Sequence, residues 1–141
     1  MTRDEFFSWC ETRGLRENST IAAVFNISIQ TVRNWRKKEG NAPLPPWLEL
    51  ACEGFDAISA VGGAPALPPI TIGWLTAWQA RHSLKTYEDT GRVFSIKRQA
   101  VHNWYKRGRF PKWLALACAG YDARALRMRG RRALDCESLP Q

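Results

Sequence analysis

The sequence predicts an all-α chain of two tandem four-helix domains joined by a short Gly/Pro linker. Three observations lead there. The phrase "VRNWRKKEG" (Val32 to Gly40) returns as "VHNWYKRGR" (Val101 to Arg109). In each copy the apolar residues recur at helical spacing, and no alternating run reads as a strand. Between the copies lies "VGGAPALPP" (Val61 to Pro69), a stretch that breaks helix.

The repeat extends well beyond that phrase. Shifted by 69 positions, Trp9 meets Trp78, Leu15 meets Leu84, Val24 and Phe25 meet Val93 and Phe94, and Asn34 and Trp35 meet Asn103 and Trp104. After a longer connection in the first copy the shift drops to 66, where Pro45 meets Pro111 and "WLELACEGFDA" meets "WLALACAGYDA". Two copies of such a period make a duplicated domain and not a solenoid. The expected boundaries are a first domain at 1–60, a linker at 61–69 and a second domain at 70–128. The remainder, 129–141, loses its periodicity and is expected to be a disordered basic tail.

Each element has a local reason. "RDEFFSWCETR" is apolar at Phe6, Trp9 and Cys10, the spacing of one helix face. "NSTIAAVF" opens with cap-type residues and offers Ile21, Val24 and Phe25 to a core. Ser28 is the expected N-cap of "IQTVRNWRKK", which buries Val32 and Trp35, and Gly40 is expected to end that helix. "PPWLELACEGFDAIS" has Pro at its start, where a missing N–H costs nothing. The second copy follows with "TIGWLTAWQAR", "TYEDTGRVF", "RQAVHNWYKR" and "PKWLALACAGYDARALRM". Trp35 and Trp104 fall on the face of the Val three residues earlier. They are expected in the core, as are Trp9, Trp78, Trp47 and Trp113.

Composition narrows the function. A chain of 141 residues with 45% hydrophobic and 24% charged residues is a soluble, folded one, and seven Trp and six Phe suit small, dense cores. No apolar run is long enough for a membrane span, and the N-terminus lacks the apolar stretch of a signal peptide, so a cytoplasmic protein is expected. The four Cys form no C-x-x-C pair, and Cys52 and Cys118 sit inside apolar runs as small core residues. Neither a metal nor another cofactor is implied. Glu49, Glu53 and Asp56 offer no paired catalytic geometry, His82 reads as a residue closing a helix, and no enzyme is expected.

The net charge is +8 with a pI near 9.8, which favours polyanions, nucleic acid first among them. The charge is unevenly shared. Residues 1–60 hold seven Lys and Arg against eight Asp and Glu, a net −1, whereas residues 70–141 hold fourteen against five, a net +9.

In each copy two short helices meet at a tight turn, and the second carries polar side chains outward. Ala22 and Gly91 are small residues midway along the helix before the turn, Ile27 and Ile96 follow the turn, and Val32 and Val101 lie in the next helix. Trp35 and Trp104 come one turn later, followed by basic residues and a "P…WL" approach to a fourth helix. On these residues each copy resembles the helix-turn-helix domains of the lambda repressor/Cro-like DNA-binding superfamily, over most of the chain apart from linker and tail. One departure is Asn26 and Ser95, where that family most often has Gly. Asn tolerates the left-handed conformation better than Ser, so the second turn is expected to differ.

The resemblance implies base-reading positions at Ser28, Ile29, Gln30, Arg33 and Asn34 in the first copy. In the second it implies Lys97, Arg98, Gln99, His102 and Asn103. The chemistry suits the task independently, because Gln and Asn bond bidentately to adenine and Arg to guanine. Arg36, Lys37, Lys38, Lys106, Arg107, Arg109 and Lys112 lie just beyond and are expected to grip phosphates.

The expected function is a sequence-specific transcriptional regulator of double-stranded DNA. It reads two related half-sites about 34 Å apart with one chain and acts as a repressor, of the kind found in phage or mobile-element circuits and associated with the nucleoid. A second copy of the chain is the other partner left open, with the exposed parts of the fourth helices as its contact. Two alternatives remain: an architectural or excisionase-like DNA-binding protein, and a helix-turn-helix interaction module that inhibits a nucleic-acid-handling enzyme.

Overall fold

The computed structural model describes residues 1–60 and 69–137, with side chains as far as residue 130. Among the described residues the chain is all-helical, with eight helices and no strand. They are α1 (Arg3–Thr12), α2 (Asn18–Phe25), α3 (Ile29–Arg36), α4 (Pro46–Ala60), α5 (Ile72–Arg81), α6 (Tyr87–Phe94), α7 (Arg98–Arg107) and α8 (Leu114–Glu137). None of these helices is long and apolar enough to cross a membrane.

Helix starts follow the capping chemistry of the sequence. The hydroxyls of Thr2, Ser28, Thr71 and Thr86 accept from the backbone N–H three residues on, and Thr86 forms a reciprocal box with Asp89. Two helix ends differ from expectation. The first is α3, which stops at Arg36, with Lys37 as its C-cap, so Gly40 does not terminate it. Instead the Gly40 carbonyl accepts from the Asp4 N–H at 3.0 Å, Ala42 accepts from Arg3 at 2.9 Å, and Leu44 donates to Met1 at 3.1 Å. The longer connection of the first copy is thus stitched to the N-terminal residues, which carries Leu44 into the core at 4% exposure. The second is α8, which continues through Glu137 where disorder was expected after Met128. Arg, Ala and Leu are good helix formers, and the helix propagates through its own backbone bonds once packing has nucleated it. Most of the expected linker (61–68) and the last four residues (138–141) lie outside the described residues.

Two hydrophobic clusters form. Phe6, Phe25, Val32, Trp35 and Leu48 centre the first, and Leu75, Trp78, Phe94, Leu114 and Cys118 the second. They are not self-contained, because Leu116 of α8 belongs to the first cluster and Leu50 of α4 to the second. These two residues are 66 positions apart, so the exchange is reciprocal. It is possible because α4 and α8 make the most extensive contact between any two helices. Near their starts Trp47 and Trp113 stack at 4.4 Å and 6°. Two turns later Gly54 lies against Gly120, so the helices run in the same direction.

The glycines set how close that approach is. A Cβ on Gly54 would overlap the Leu116 carbonyl oxygen, and one on Gly120 the Leu50 carbonyl oxygen, both of them backbone atoms. Glu53 closes the far side of the contact, accepting from Arg124 Nε at 2.9 Å. The Trp stack extends outward on both sides. Trp47 reaches Trp35 of α3 at 6.3 Å, and Trp113 reaches Trp104 of α7 at 6.1 Å. Four tryptophans therefore form a continuous ladder from α3 to α7.

Gly120→Ala is expected to lower stability by about 3 kcal/mol, the upper end for overpacking, even though Ala is the better helix former. Gly54→Ala should behave alike. Urea unfolding of both variants checks this, and midpoints at or above the parent's would show that the two helices part freely.

The thiols give a second expectation. Burial pushes the Cys10 thiol up to about 12 and raises Cys52 and Cys118 as well. Thiolate is the reactive form, so none of the three should label at pH 8 in the native Cys136→Ser variant, while all should on unfolding. Their contribution to stability is complete below the unfolded thiol value of about 8.5, and it falls away as the pH rises toward 12 because only the unfolded chain ionises there. Rapid labelling of the native variant would contradict the packing.

Candidate nucleic-acid interface

The turn between α2 and α3 is made by Asn26 in the left-handed conformation, at φ 57° and ψ 44°. Its counterpart between α6 and α7 is Ser95, at φ 54° and ψ 44°. The second turn therefore does not differ, contrary to the expectation from its side chain. The reason lies in the backbone. Ile27 N–H donates to Ala22 O at 3.0 Å and Ile96 N–H to Gly91 O at 2.9 Å, closing both turns by the same bond over a small residue. Ser95 bears the left-handed strain that this bond imposes.

Burial of one face then fixes what the other presents. In α3 the side chains of Val32 and Trp35 go inward, so Ile29, Gln30, Arg33 and Asn34 stand outside, with Ser28 exposed at the cap. In α7 Val101 goes inward and Trp104 is half-buried, which exposes Arg98, Gln99 and His102, leaves Asn103 half-buried, and puts Lys97 outside at the cap. The structure thus brings the expected reading residues of each copy onto one surface of one helix.

These surfaces are internally organised. Gln30 Nε2 donates to Asn34 Oδ1 at 2.9 Å, and Gln99 Nε2 donates to Asn103 Oδ1 at 3.1 Å. The same amide pair, one helical turn apart, recurs in both copies. Ser28 spends its hydroxyl on Thr31, bonding Thr31 N at 3.1 Å and Thr31 Oγ1 at 2.7 Å. Lys97 makes no side-chain cap and is exposed.

Of the expected phosphate-gripping cations, Lys37, Lys38, Lys106, Arg107, Arg109 and Lys112 are exposed. Arg36 differs. Its guanidinium lies 4.3 Å over the Phe7 ring and donates to Arg16 O at 3.0 Å and to Asn18 Oδ1. It is committed to tying α3 to α1 and to the start of α2.

Sequence reasoning missed a cluster on the second copy. Tyr87 and Tyr105 stack at 5.2 Å and 22°, both half-buried, with His102 5.7 Å from Tyr87. The Tyr105 hydroxyl donates to Gln79 Oε1 at 2.6 Å, while Gln79 Nε2 donates to the buried Thr90 hydroxyl at 2.8 Å. Burial raises the Tyr105 phenol above its ordinary range. Asn18 and Arg36 occupy the matching places in the first copy, so alignment of the repeats hides the pair. Likewise His82 does more than close a helix: it bonds Asp122 at 2.5 Å, and Asp122 also accepts from Trp78 Nε1 at 2.9 Å. The first copy builds the same clamp from Arg13, Asp56 and Trp9, with Arg13 Nε 2.6 Å from Asp56.

What the arrangement can do is polar recognition. Each helix shows amides and cations on a rigid, solvent-facing surface, and among the described residues no cluster of His, Cys, Asp and Glu could hold a metal ion.

Ser95→Gly should stabilise the chain by about 1 kcal/mol, since relief of left-handed strain outweighs the added freedom of the unfolded state. Asn26→Gly should gain less. Denaturant midpoints decide the matter, and a loss of stability in Ser95→Gly would mean that its hydroxyl makes a compensating bond.

No family model matches the chain, and neither a curated protein nor a solved structure does.

Proposed function

We propose that the chain is a sequence-specific regulator of double-stranded DNA, built as two tandem helix-turn-helix domains of the lambda repressor/Cro-like kind. Residues 1–60 and 70–128 form the two domains, with α3 and α7 as their recognition helices. The observation that carries this reading is the tryptophan ladder between those helices, reinforced by the Gly54–Gly120 contact. Helices joined through packed aromatic rings keep one separation, which is what reading two half-sites on one duplex requires. The chain acts as its own dimer. The facing sides of α4 and α8, which would otherwise be offered to a second copy, are already used.

Ser28, Ile29, Gln30, Arg33 and Asn34 read one half-site, and Lys97, Arg98, Gln99, His102 and Asn103 read the other. Lys37, Lys38, Lys106, Arg107, Arg109 and Lys112 hold phosphates, while Arg36 serves the fold. The surplus of +9 in residues 70–141 makes the second domain the larger source of salt-dependent affinity. Bound across a promoter, such a protein represses by occlusion.

Selection of random duplexes by the full chain at ~0.15 M salt tests the reading. Two related but unequal boxes at one fixed separation are expected, and one base pair inserted between them should abolish the joint contact. Replacing Lys106 and Arg107 together by Ala should reduce the slope of log affinity against log salt by about 2. Retention without an enriched motif would favour an architectural role, and no retention would favour the protein-interaction module; either result overturns the proposal.

A further inference from the structure

We infer that the Gln and Asn of each recognition helix work as a single reading unit, and that this unit selects adenine at the same position of both half-sites. The inference rests on the DNA-reading function proposed above. Its ground is the repeated bond from Gln30 Nε2 to Asn34 Oδ1 and from Gln99 Nε2 to Asn103 Oδ1.

Each such bond uses one donor group and one acceptor. The opposite amide group of each side chain stays outward, a carbonyl on one residue and an NH2 on the other. Turning both amides over exchanges the two roles and leaves the same set, one acceptor beside one donor. Among the four bases taken singly, adenine alone presents the complement on its major-groove edge, an N6 amino donor beside the N7 acceptor. Guanine offers two acceptors and would oppose the carbonyl, cytosine offers only a donor, and thymine offers an acceptor beside a methyl group. The bond also fixes both side-chain rotamers before DNA arrives, so less entropy is lost on binding than with two free amides.

The neighbouring position differs between copies. Ile29, in the first turn of α3, is 41% exposed and carries no polar atom. An apolar side chain there suits the thymine methyl group. Arg98 stands at the matching place in α7 and suits the two acceptors of guanine. The half-sites therefore share an adenine and differ beside it, and the chain binds in one orientation.

The test uses the full chain and the duplex enriched by selection, with affinity read by fluorescence anisotropy. In each box the shared adenine is replaced by 7-deazaadenine, which lacks the N7 acceptor, or by purine, which lacks the N6 donor. Each replacement should weaken binding roughly tenfold. Gln99→Ala, Asn103→Ala and the double variant should all lose the adenine preference of the second box to the same extent, because breaking either half dissolves the unit. Uracil in place of thymine should weaken only the first box. Circular dichroism should be unchanged, since Gln99 is exposed, Asn103 is only half-buried and neither belongs to a hydrophobic cluster. Sequence-selective binding whose boxes share no adenine, or losses that add in the double variant, would overturn this inference and leave the regulator reading intact. Absence of any sequence preference would overturn both.

Discussion

The stacked Trp47 and Trp113 rings, 4.4 Å apart and nearly parallel, are the contact on which the rest of the molecule depends. Each ring is also a wall of its own half's core, Trp47 against Trp35 and Trp113 against Phe94. Stacking is worth only about 0.5–1.5 kcal/mol beyond the area it buries. Its consequence is larger than its energy. The rings can meet only if the backbones of α4 and α8 come together behind them, which is why Gly54 and Gly120 sit where any side chain would strike a carbonyl. Once that approach is made, Leu50 and Leu116 cross into the opposite cores, and neither core is complete without the other.

Around this symmetric centre the two halves have diverged in their chemistry. The Cys10, Ile21 and Phe7 places of the first half are Gln79, Thr90 and Thr76 in the second. A buried polar group is costly unless it is paired, and Gln79 is paired twice, through Thr90 and Tyr105. The substitutions therefore belong together: Tyr105 in place of Arg36 supplies the hydroxyl that Gln79 needs. The clamp between the first and fourth helices shows the same logic. Asp56 holds Arg13 and Trp9, Asp122 holds His82 and Trp78, and only the partner from the end of the first helix has changed, Arg13 to His82.

Much of this was legible in the sequence because helix packing leaves a periodic trace. The all-helical class, the start of α3 at Ser28 and the outward residues of α3 and α7 follow from apolar spacing and cap chemistry, and these are local properties. What escaped is what depends on partners distant in the chain. Gly54 reads as one more residue of a helix until the Leu116 carbonyl is seen beside it. Arg36 reads as a free cation until Phe7 and Asn18 are placed around it. Ser95 reads as unsuited to a left-handed turn, but the Gly91–Ile96 bond imposes that turn regardless. Gly40 reads as a helix stop because the N-terminal residues that use its carbonyl lie 36 positions away at Asp4. The spacing of Gln30 and Asn34 was visible from the start. Their bond has meaning only because the same pair recurs at Gln99 and Asn103, there with Asn103 half-buried.

On the proposed function, a reader built from two identical separate chains would carry the same side chains twice, and its target would be a palindrome. Two copies joined in one chain would be free of that constraint everywhere except at the seam between them. The seam between α4 and α8 has kept its correspondence, with Trp47 facing Trp113 and Leu50 exchanging with Leu116, whereas buried places away from it have changed, Cys10 to Gln79 and Ile21 to Thr90. The surface has no such partner to satisfy. Ile29 and Arg98, Arg33 and His102, or Ser28 and Lys97 can differ without cost to the core, since each points to solvent from a helix whose position the tryptophans already fix. On the proposed function, a symmetric frame carrying unlike surfaces would give one chain what a homodimer lacks, a direction along the duplex.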